Sequence, residues 1–126
     1  MAGGEVTQVQ IDYAFGLAIE TYDEQRASTH IRISTRFEYE ANGEVTVIDP
    51  GHTEQMAPLL TLHKAAVAEG YAIKDGHLVV HFVDGRAIRV APDEQYESWT
   101  VTGQLPPVVR KFSLIGLPGT GVALFG

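Results

Sequence analysis

The chain has 126 residues, 44% of them hydrophobic and 20% charged, which is ordinary for a single soluble domain spanning residues 1–126. It contains no cysteine, so disulfides, cysteine-ligated zinc and thiolate catalysis are excluded. A net charge of −7 argues against a phosphate backbone as partner. The sequence also shows no signal-peptide pattern and no apolar run near the roughly 18 residues of a membrane span, so we expect a cytoplasmic protein that binds neither nucleic acid nor membrane.

The first predicted element is an alternation from Val9 to Ile19 in which every odd-numbered residue is apolar. A period of two is typical of a strand with one buried face. We therefore predict one long strand, or two strands joined by a bend, with Gly16 as the bulge or bend point.

A second alternation from Ile31 to Tyr39 predicts a half-buried strand with a charged outer face. Asn42-Gly43 then signals a tight turn, and Val45 and Val47 follow it. These two valines share a face with Tyr39 only if the loop has three residues, 41–43, with the glycine left-handed. We predict that loop.

The segment His52–His63 is the helical candidate, with Thr53 as its N-cap. Apolar residues stand at helical i, i+3, i+4 spacing at Met56, Leu59 and Leu60. Pro58 forbids a regular helix through the middle, so we expect one or two short turns.

Two further turns are predicted from the faces they preserve. Asp75-Gly76 is predicted as a two-residue turn, which places Ile73 opposite Leu78 and Tyr71 opposite Val80. The loop Val83-Asp84-Gly85 is predicted to have three residues with Gly85 left-handed, which keeps the large apolar residues of 78–90 on one face. His81, Ala87 and Arg89 then fall on the other face, which we expect to be solvated or lightly covered.

The remaining chain is predicted as a turn at Pro92–Tyr96 and strands beginning at Trp99, at Phe112 and at Val122, with a glycine-rich loop at Gly116–Gly121. The pattern contains no alternation of strands with helices. We predict a mainly β fold: a curled antiparallel sheet, either a roll or an open barrel, of about eight or nine strands with one short helical insertion.

Catalytic and metal motifs receive little support. His77 and His81 are four residues apart, which on a strand is about 13 Å, too far for one ion. No serine stands in a G-x-S-x-G elbow, and the GLPGTG stretch at 116–121 lacks the Lys-Ser/Thr of a phosphate-binding loop. We predict no metal, no cofactor and no catalytic residue.

Glu97 is the residue that folding explains least. It shares parity with Trp99, so it is expected to face inward, where a carboxylate needs Arg86 or Arg89 as partner. One interpretation is a structural ion pair, and the other is an acid that contacts a ligand in a small cleft. The candidate ligand-binding residues are Glu97, Trp99, Arg89, Arg86 and His81.

Three segments carry a family resemblance: FVDGR at 82–86, YESW at 96–99 and PGTGVALF at 118–125. In this order they resemble a family of small bacterial proteins that is a domain of unknown function. Thr120 and Phe125 depart from the glycine and tryptophan usual in that pattern. The resemblance implies the boundaries of the fold, and no activity.

Two classes of function remain. The first is a non-enzymatic protein-binding module whose acidic surface takes a basic protein partner, similar in style to small acidic immunity proteins; its charged strand faces include Arg32, Arg36, Glu38 and Glu40. The alternative is a small-ligand binding protein or enzyme with a pocket near Glu97 and Trp99. A homodimer through an uncovered sheet edge, such as the C-terminal strand, is compatible with both.

Overall fold

A computed structural model describes residues 4–21, 27–93, 97–105, 110–116 and 122–125. Within these residues the chain forms eleven strands and one 3₁₀ helix. The strands are β1 Gly4–Ile11, β2 Phe15–Thr21, β3 Ala27–Ile33, β4 Phe37–Ala41, β5 Glu44–Ile48, β6 Ala66–Ala72, β7 Leu78–Phe82, β8 Ala87–Val90, β9 Trp99–Leu105, β10 Arg110–Gly116 and β11 Val122–Phe125, and the helix is Thr53–Leu62. The turn predicted to end at Tyr96 and most of the glycine-rich loop lie outside the described residues.

All eleven strands belong to one antiparallel sheet in the order β11-β10-β9-β3-β2-β1-β6-β7-β8-β4-β5. The six-stranded half joins the five-stranded half through β1 and β6, where only Gly4↔Val67 and Glu5↔Ala66 are paired. The halves fold over each other, since the rings of Phe15 in β2 and Phe37 in β4 lie 5.5 Å apart. The predicted curled antiparallel sheet is therefore confirmed. No helix in the described part of the chain is long and apolar enough to cross a bilayer.

The structure has more strands than predicted because one apolar alternation can run through two strands. The segment 31–39 belongs to β3, which lies between β2 and β9, and to β4, which lies between β8 and β5. The chain crosses from one half of the sheet to the other at residues 34–36. Ile31, Ile33, Phe37 and Tyr39 all enter the same core, so the alternation shows no break.

The bend in the first alternation is at Asp12–Ala14, and the placement at Gly16 is wrong. Tyr13 has a φ of 62° at the tip of the β1–β2 hairpin and is exposed. Gly16 lies within β2 opposite Gln10. A Cβ on Gly16 would lie 3.2 Å from Oε1 of Gln10, so close packing of a neighbouring side chain accounts for the glycine.

The β4–β5 turn is also shorter than predicted. Ala41 pairs directly with Glu44, so the loop has two residues, and both Asn42 and Gly43 have positive φ values, 54° and 78°. Asn-Gly is the sequence that type I′ turns favour. The consequence is that Val45 and Val47 lie on the face opposite Tyr39, exposed at 53% and 60%.

The β6–β7 turn is longer than predicted. The amide of Ile73 donates to the carbonyl of His77, which leaves a three-residue loop, and Gly76 takes the left-handed position with a φ of 107°. Tyr71 therefore pairs with Val79 rather than with Val80. Tyr71 and Ile73 are exposed instead of facing the core.

The three-residue loop of the central hairpin is confirmed. The amide of Phe82 donates to the carbonyl of Arg86 at 2.9 Å, Val80 pairs with Ile88, and Gly85 has a φ of 95°. The five large apolar residues predicted to share one face of this hairpin are all buried on the inner face: Leu78, Val80, Phe82, Ile88 and Val90.

The helical segment is a ten-residue 3₁₀ helix that includes Pro58. Its buried residues are Met56, Leu59 and Leu62, a spacing of three that matches the three residues per turn of this helix. Leu60, predicted to share the apolar face, is 53% exposed. His52 rather than Thr53 is the N-cap residue, and it makes no side-chain capping hydrogen bond.

Candidate functional site

The five-stranded half presents one face away from the core, and its register is fixed by the strand pairs. One row crosses four strands as Glu38↔Arg89↔Val79↔Tyr71, and the next row as Glu40↔Ala87↔His81↔Glu69. We call these residues, with Ile73 beyond Tyr71, the outer face. The side chains alternate with the core residues of the same strands, because successive residues of a strand point to opposite sides.

The outer face has an apolar floor and a polar rim. Val79 and Ala87 are buried, although they point away from the core, because neighbouring side chains cover them. The ring of His81 lies 6.2 Å from the ring of Tyr71, and Arg89 donates to Glu40 at 3.1 Å. Val79 and Ala87 are thus already covered in this chain, and the apolar surface that the outer face exposes is that of Tyr71 and Ile73.

A shallow cleft of about 370 Å³ extends the outer face at one side. Its lining includes Glu38, Arg89, Val47, His77 and Ala91. Arg36 also lines it and approaches Asp49 at 3.5 Å. The cleft thus combines apolar surface with both signs of charge, and it contains neither Glu97 nor Trp99.

The structure does not bring the predicted ligand-binding residues together. Glu97 is exposed, so its predicted inward position is wrong. The parity argument fails because β9 begins at Trp99, and Glu97 precedes the strand in which side chains alternate. Trp99 is only 1% exposed, and its Nε1 donates to the carbonyl of Gly76 at 2.8 Å.

Arg86 is committed to a local structure instead of pairing with Glu97. Its guanidinium contacts the carboxylate of Asp84 at 2.7 Å and donates to the hydroxyl of Thr61 at 3.1 Å. Its Cζ lies 6.0 Å from the ring centre of Phe82. Arg86 therefore ties the β7–β8 loop to the end of the 3₁₀ helix, while Arg89 pairs with Glu40.

The histidines likewise serve separate neighbours. Nδ1 of His77 lies 2.8 Å from Oδ1 of Asp75, and Nε2 of His30 lies 3.0 Å from Oε1 of Gln10. Among the residues that the structure describes, no three metal-ligating side chains form a group. Of the predicted site residues, the outer face brings together Arg89 and His81.

Three turn aspartates have lowered pKa values, each for a local reason. The largest cause is the backbone N–H of Gly51 for Asp49 and the side chain of His77 for Asp75. All three carboxylates also accept the backbone N–H two residues later: Asp49 from Gly51, Asp75 from His77 and Asp84 from Arg86. The largest cause of the lowered pKa of Asp84 is the side-chain hydrogen bond from Arg86, and the same pair raises the pKa of the guanidinium. The hydrogen bonds that lower these pKa values also stabilise the turns.

The Asp84–Arg86 contact predicts a pH dependence of stability. Because the folded-state pKa of Asp84 lies below the ordinary value of 3.8, its contribution is present above that value and is lost as the pH falls through the folded-state pKa. Asp84→Asn should therefore unfold at lower urea concentration than the wild type at neutral pH. Below the folded-state pKa of Asp84 the two midpoints should converge, since both side chains are then neutral.

The matched control is Glu69→Gln, which removes one exposed carboxylate of β6 and leaves the Asp84–Arg86 contact intact. Urea midpoints measured by circular dichroism across the pH range decide the matter. A gap between Asp84→Asn and the wild type that stays constant with pH would show that the ion pair does not carry the effect.

The exposed apolar part of the outer face, Tyr71 and Ile73, is not predicted from the sequence. Tyr71 and Ile73 were predicted to face the core because the β6–β7 loop was given two residues. The available signal was the similarity of Lys74-Asp75-Gly76 to the correctly predicted Val83-Asp84-Gly85, since both end in Asp-Gly. A three-residue loop in both places would have predicted the exposed pair.

Comparison with protein families gives one result. A family model described as "Family of unknown function (DUF6188)" matches residues 1–125. No curated protein and no solved structure matches the chain. The resemblance to a domain of unknown function is thereby confirmed over the whole fold.

Proposed function

Because the chain belongs to DUF6188, a family of unknown function, we propose from its surface that it is a non-enzymatic protein-binding module that takes a basic protein on its outer face. The observation that carries the proposal is the exposure of Tyr71 and Ile73 on the same face as the exposed carboxylates of Glu69, in the same strand, and Glu38, three strands away. No described element covers these four side chains. The exposed side chains of Tyr71 and Ile73 supply affinity, and the carboxylates around them select the partner.

The charge of the surface favours a basic partner. Arg89 is already neutralised by Glu40, whereas Glu38 and Glu69 form no ion pair with another described residue. The chain as a whole carries −7. A partner with lysines and arginines around an apolar contact would be attracted both by these two carboxylates and by the net charge of the chain. Its association should weaken as the salt concentration rises.

Reversing the two free carboxylates tests the proposal. The double variant Glu38→Lys/Glu69→Lys should lower the affinity for the native partner by at least about tenfold, because both rim charges change sign. Affinity capture from the native host uses three baits in parallel: the wild type, this double variant and Asp12→Lys. The expected result is a basic protein held by the first and third baits and lost from the second, followed by direct titration of that protein.

Asp12→Lys is the control because it makes the same reversal of a carboxylate at a single position, on the β1–β2 hairpin of the other half. Among the residues that the structure describes, Asp12 forms an ion pair with Arg32 alone, at 3.2 Å and largely exposed to solvent, so the loss of this pair affects stability little. The proposal fails if no protein distinguishes the double variant from the control.

The most specific form of the proposal is immunity, in which the basic partner is a toxin that this chain neutralises. Co-expression with a toxic product of a neighbouring gene tests it directly. The wild type and Asp12→Lys should restore growth, and Glu38→Lys/Glu69→Lys should not. Rescue by all three proteins would place neutralisation elsewhere on the surface.

A further inference from the structure

The strand β5 forms one edge of the sheet and lacks the usual protection of an edge. Its sequence, EVTVI, contains no lysine and no proline, its single charged residue is Glu44 next to the turn, and its pairing with β4 shows no bulge. Natural sheets use lysines, prolines and bulges in their edge strands to prevent pairing between edges. The outward-facing side chains Val45 and Val47 are also the exposed valines of this hairpin. An unprotected apolar edge indicates a strand partner.

We propose that β5 pairs with β5 of a second copy of this chain, antiparallel and about a two-fold axis through Thr46. The two-residue turn makes Ala41↔Glu44 a hydrogen-bonded pair, so Thr46 and Ile48 also direct their backbone groups toward β4. The N–H and C=O groups of Val45 and Val47 therefore point to the open edge. They form no hydrogen bond with another described residue.

The register follows from which backbone groups are free. With Thr46 on the axis, Val45 of each copy faces Val47 of the other, and these two pairs use all eight outward groups in four hydrogen bonds. An axis through Val47 would need the amide of Asp49, which already donates to Oε1 of Gln55 at 2.9 Å. An axis through Val45 would need Gly43, which lies in the turn.

The side chains of this register are compatible with self-association. Four valines meet on the outward side, two from each copy, and the two Thr46 side chains meet on the inner side, where β-branched pairs are favourable. Glu44 faces Ile48 of the other copy rather than a carboxylate. Across the seam, Glu38 of one copy and Glu40 of the other are three strand spacings apart, about 14 Å, which exceeds the Debye length of about 8 Å.

The inner side of the edge has room for a second strand. An open cleft of about 500 Å³ lies beside β5, and its lining includes Thr46, Ile48, Gln55 and Pro58. The second copy would project its Thr46 toward this cleft. The paired halves would form one continuous sheet in which both outer faces point the same way, so the proposal holds whether or not a basic protein binds there.

A single cysteine tests the register because the chain has none of its own. In a non-hydrogen-bonded antiparallel pair the facing Cα atoms are about 4.5 Å apart, within disulfide range, so Thr46→Cys should form a covalent dimer under mild oxidation. Val83→Cys, at an exposed position of the β7–β8 loop, is the matched control. We expect Thr46→Cys to crosslink at least about tenfold faster, and Glu44→Cys to crosslink slowly because its opposite residue is Ile48.

The mass in solution tests the association itself. Light scattering should give about twice the chain mass of 13.7 kDa for the wild type, falling to one chain mass on dilution. Val47→Lys should be monomeric with an unchanged circular dichroism spectrum, since its side chain is exposed and its backbone groups are outside the β4 ladder. Val83→Lys, also at an exposed valine, should behave as the wild type.

Three results would overturn the proposal: a single chain mass up to the solubility limit, a dimer that persists in Val47→Lys, or equal crosslinking of Thr46→Cys and Val83→Cys. If Val47→Lys fails to fold, the crosslinking rates decide. None of these measurements involves the basic partner, so failure here leaves the proposed function standing, and the reverse is also true.

Discussion

Trp99→Ala should lower the free energy of unfolding by about 3–5 kcal/mol, the usual effect of removing a large aromatic side chain from a core. Trp99 is 1% exposed, and its indole packs where β9 approaches β10 and the β6–β7 loop. Its loss leaves a cavity and removes the hydrogen bond that Nε1 of the indole donates to the buried carbonyl of Gly76. Urea unfolding followed by circular dichroism measures the change, since the variant has no tryptophan fluorescence.

Gly116 provides a test of why the effect is large. A Cβ on Gly116 would lie 2.5 Å from Nε1 of Trp99 and 2.8 Å from its Cδ1, so Gly116→Ala in the wild type should be destabilising by about 1–3 kcal/mol. In the Trp99→Ala background the contacts with the indole are gone and the contact with Oγ of Ser98, at 2.8 Å, remains, so the effect of Gly116→Ala should shrink. Strictly additive free energies in this double-mutant cycle would show that the indole and Gly116 do not contact each other.

Trp99→Phe separates packing from hydrogen bonding. It retains an aromatic ring in the core but leaves the carbonyl of Gly76 without its indole donor, which costs about 1–3 kcal/mol for a buried group. An effect near zero would show that the hydrogen bond contributes little, and that the effect of Trp99→Ala comes from packing alone.

The sequence predicts the fold class because alternation of apolar residues reports burial, whichever strand a residue belongs to. The same property explains the error in the strand count: Ile33 and Phe37 enter one core from opposite halves of the sheet, so the pattern contains no mark of the crossing between them. A strand boundary is visible in sequence only when the buried parity changes or a turn residue intervenes. Neither happens at 34–36.

Turn lengths were predicted by requiring all large apolar residues of a hairpin to share one face, and that requirement holds only where no apolar residue is exposed. It succeeded at Val83–Gly85, because the five alternating apolar residues of that hairpin, from Leu78 to Val90, all enter the core. It failed at Asn42-Gly43 and at Asp75-Gly76, where Val47 and Tyr71 are exposed. Exposed apolar residues violate the requirement that all large apolar residues of a hairpin share one face. The two wrong turn lengths therefore lie next to the exposed residues that we propose for dimerisation and for partner binding.

The ligand pocket near Glu97 could not be evaluated from sequence for a different reason. Parity along a strand predicts a side chain's direction only within the strand, and the start of β9 at Trp99 places Glu97 outside it. Arg86 and Arg89, the expected partners of Glu97, also form ion pairs with other carboxylates. Asp84 lies two residues before Arg86, a separation that a tight turn closes, whereas the pairing of Arg89 with Glu40 depends on the long-range placement of β4 beside β8.

The 3₁₀ helix provides the sharpest test of structure against sequence pattern. Leu59→Ala and Leu62→Ala should each lower the free energy of unfolding by about 2–5 kcal/mol, because both side chains are fully buried in the core. Leu60→Ala, the same substitution one residue from Leu59, should change it by less than about 0.5 kcal/mol, because Leu60 is 53% exposed. Urea midpoints of the three variants are directly comparable.

The comparison of Leu60 with Leu62 is decisive because the two periods disagree there. An α-helical face built on Met56 and Leu59 continues at position 60, whereas a period of three continues at position 62. Pro58 explains the choice, since its missing amide and its ring oppose the i→i−4 hydrogen bonding of an α-helix. Destabilisation by Leu60→Ala equal to that of Leu62→Ala would mean that this segment closes the core as an α-helix.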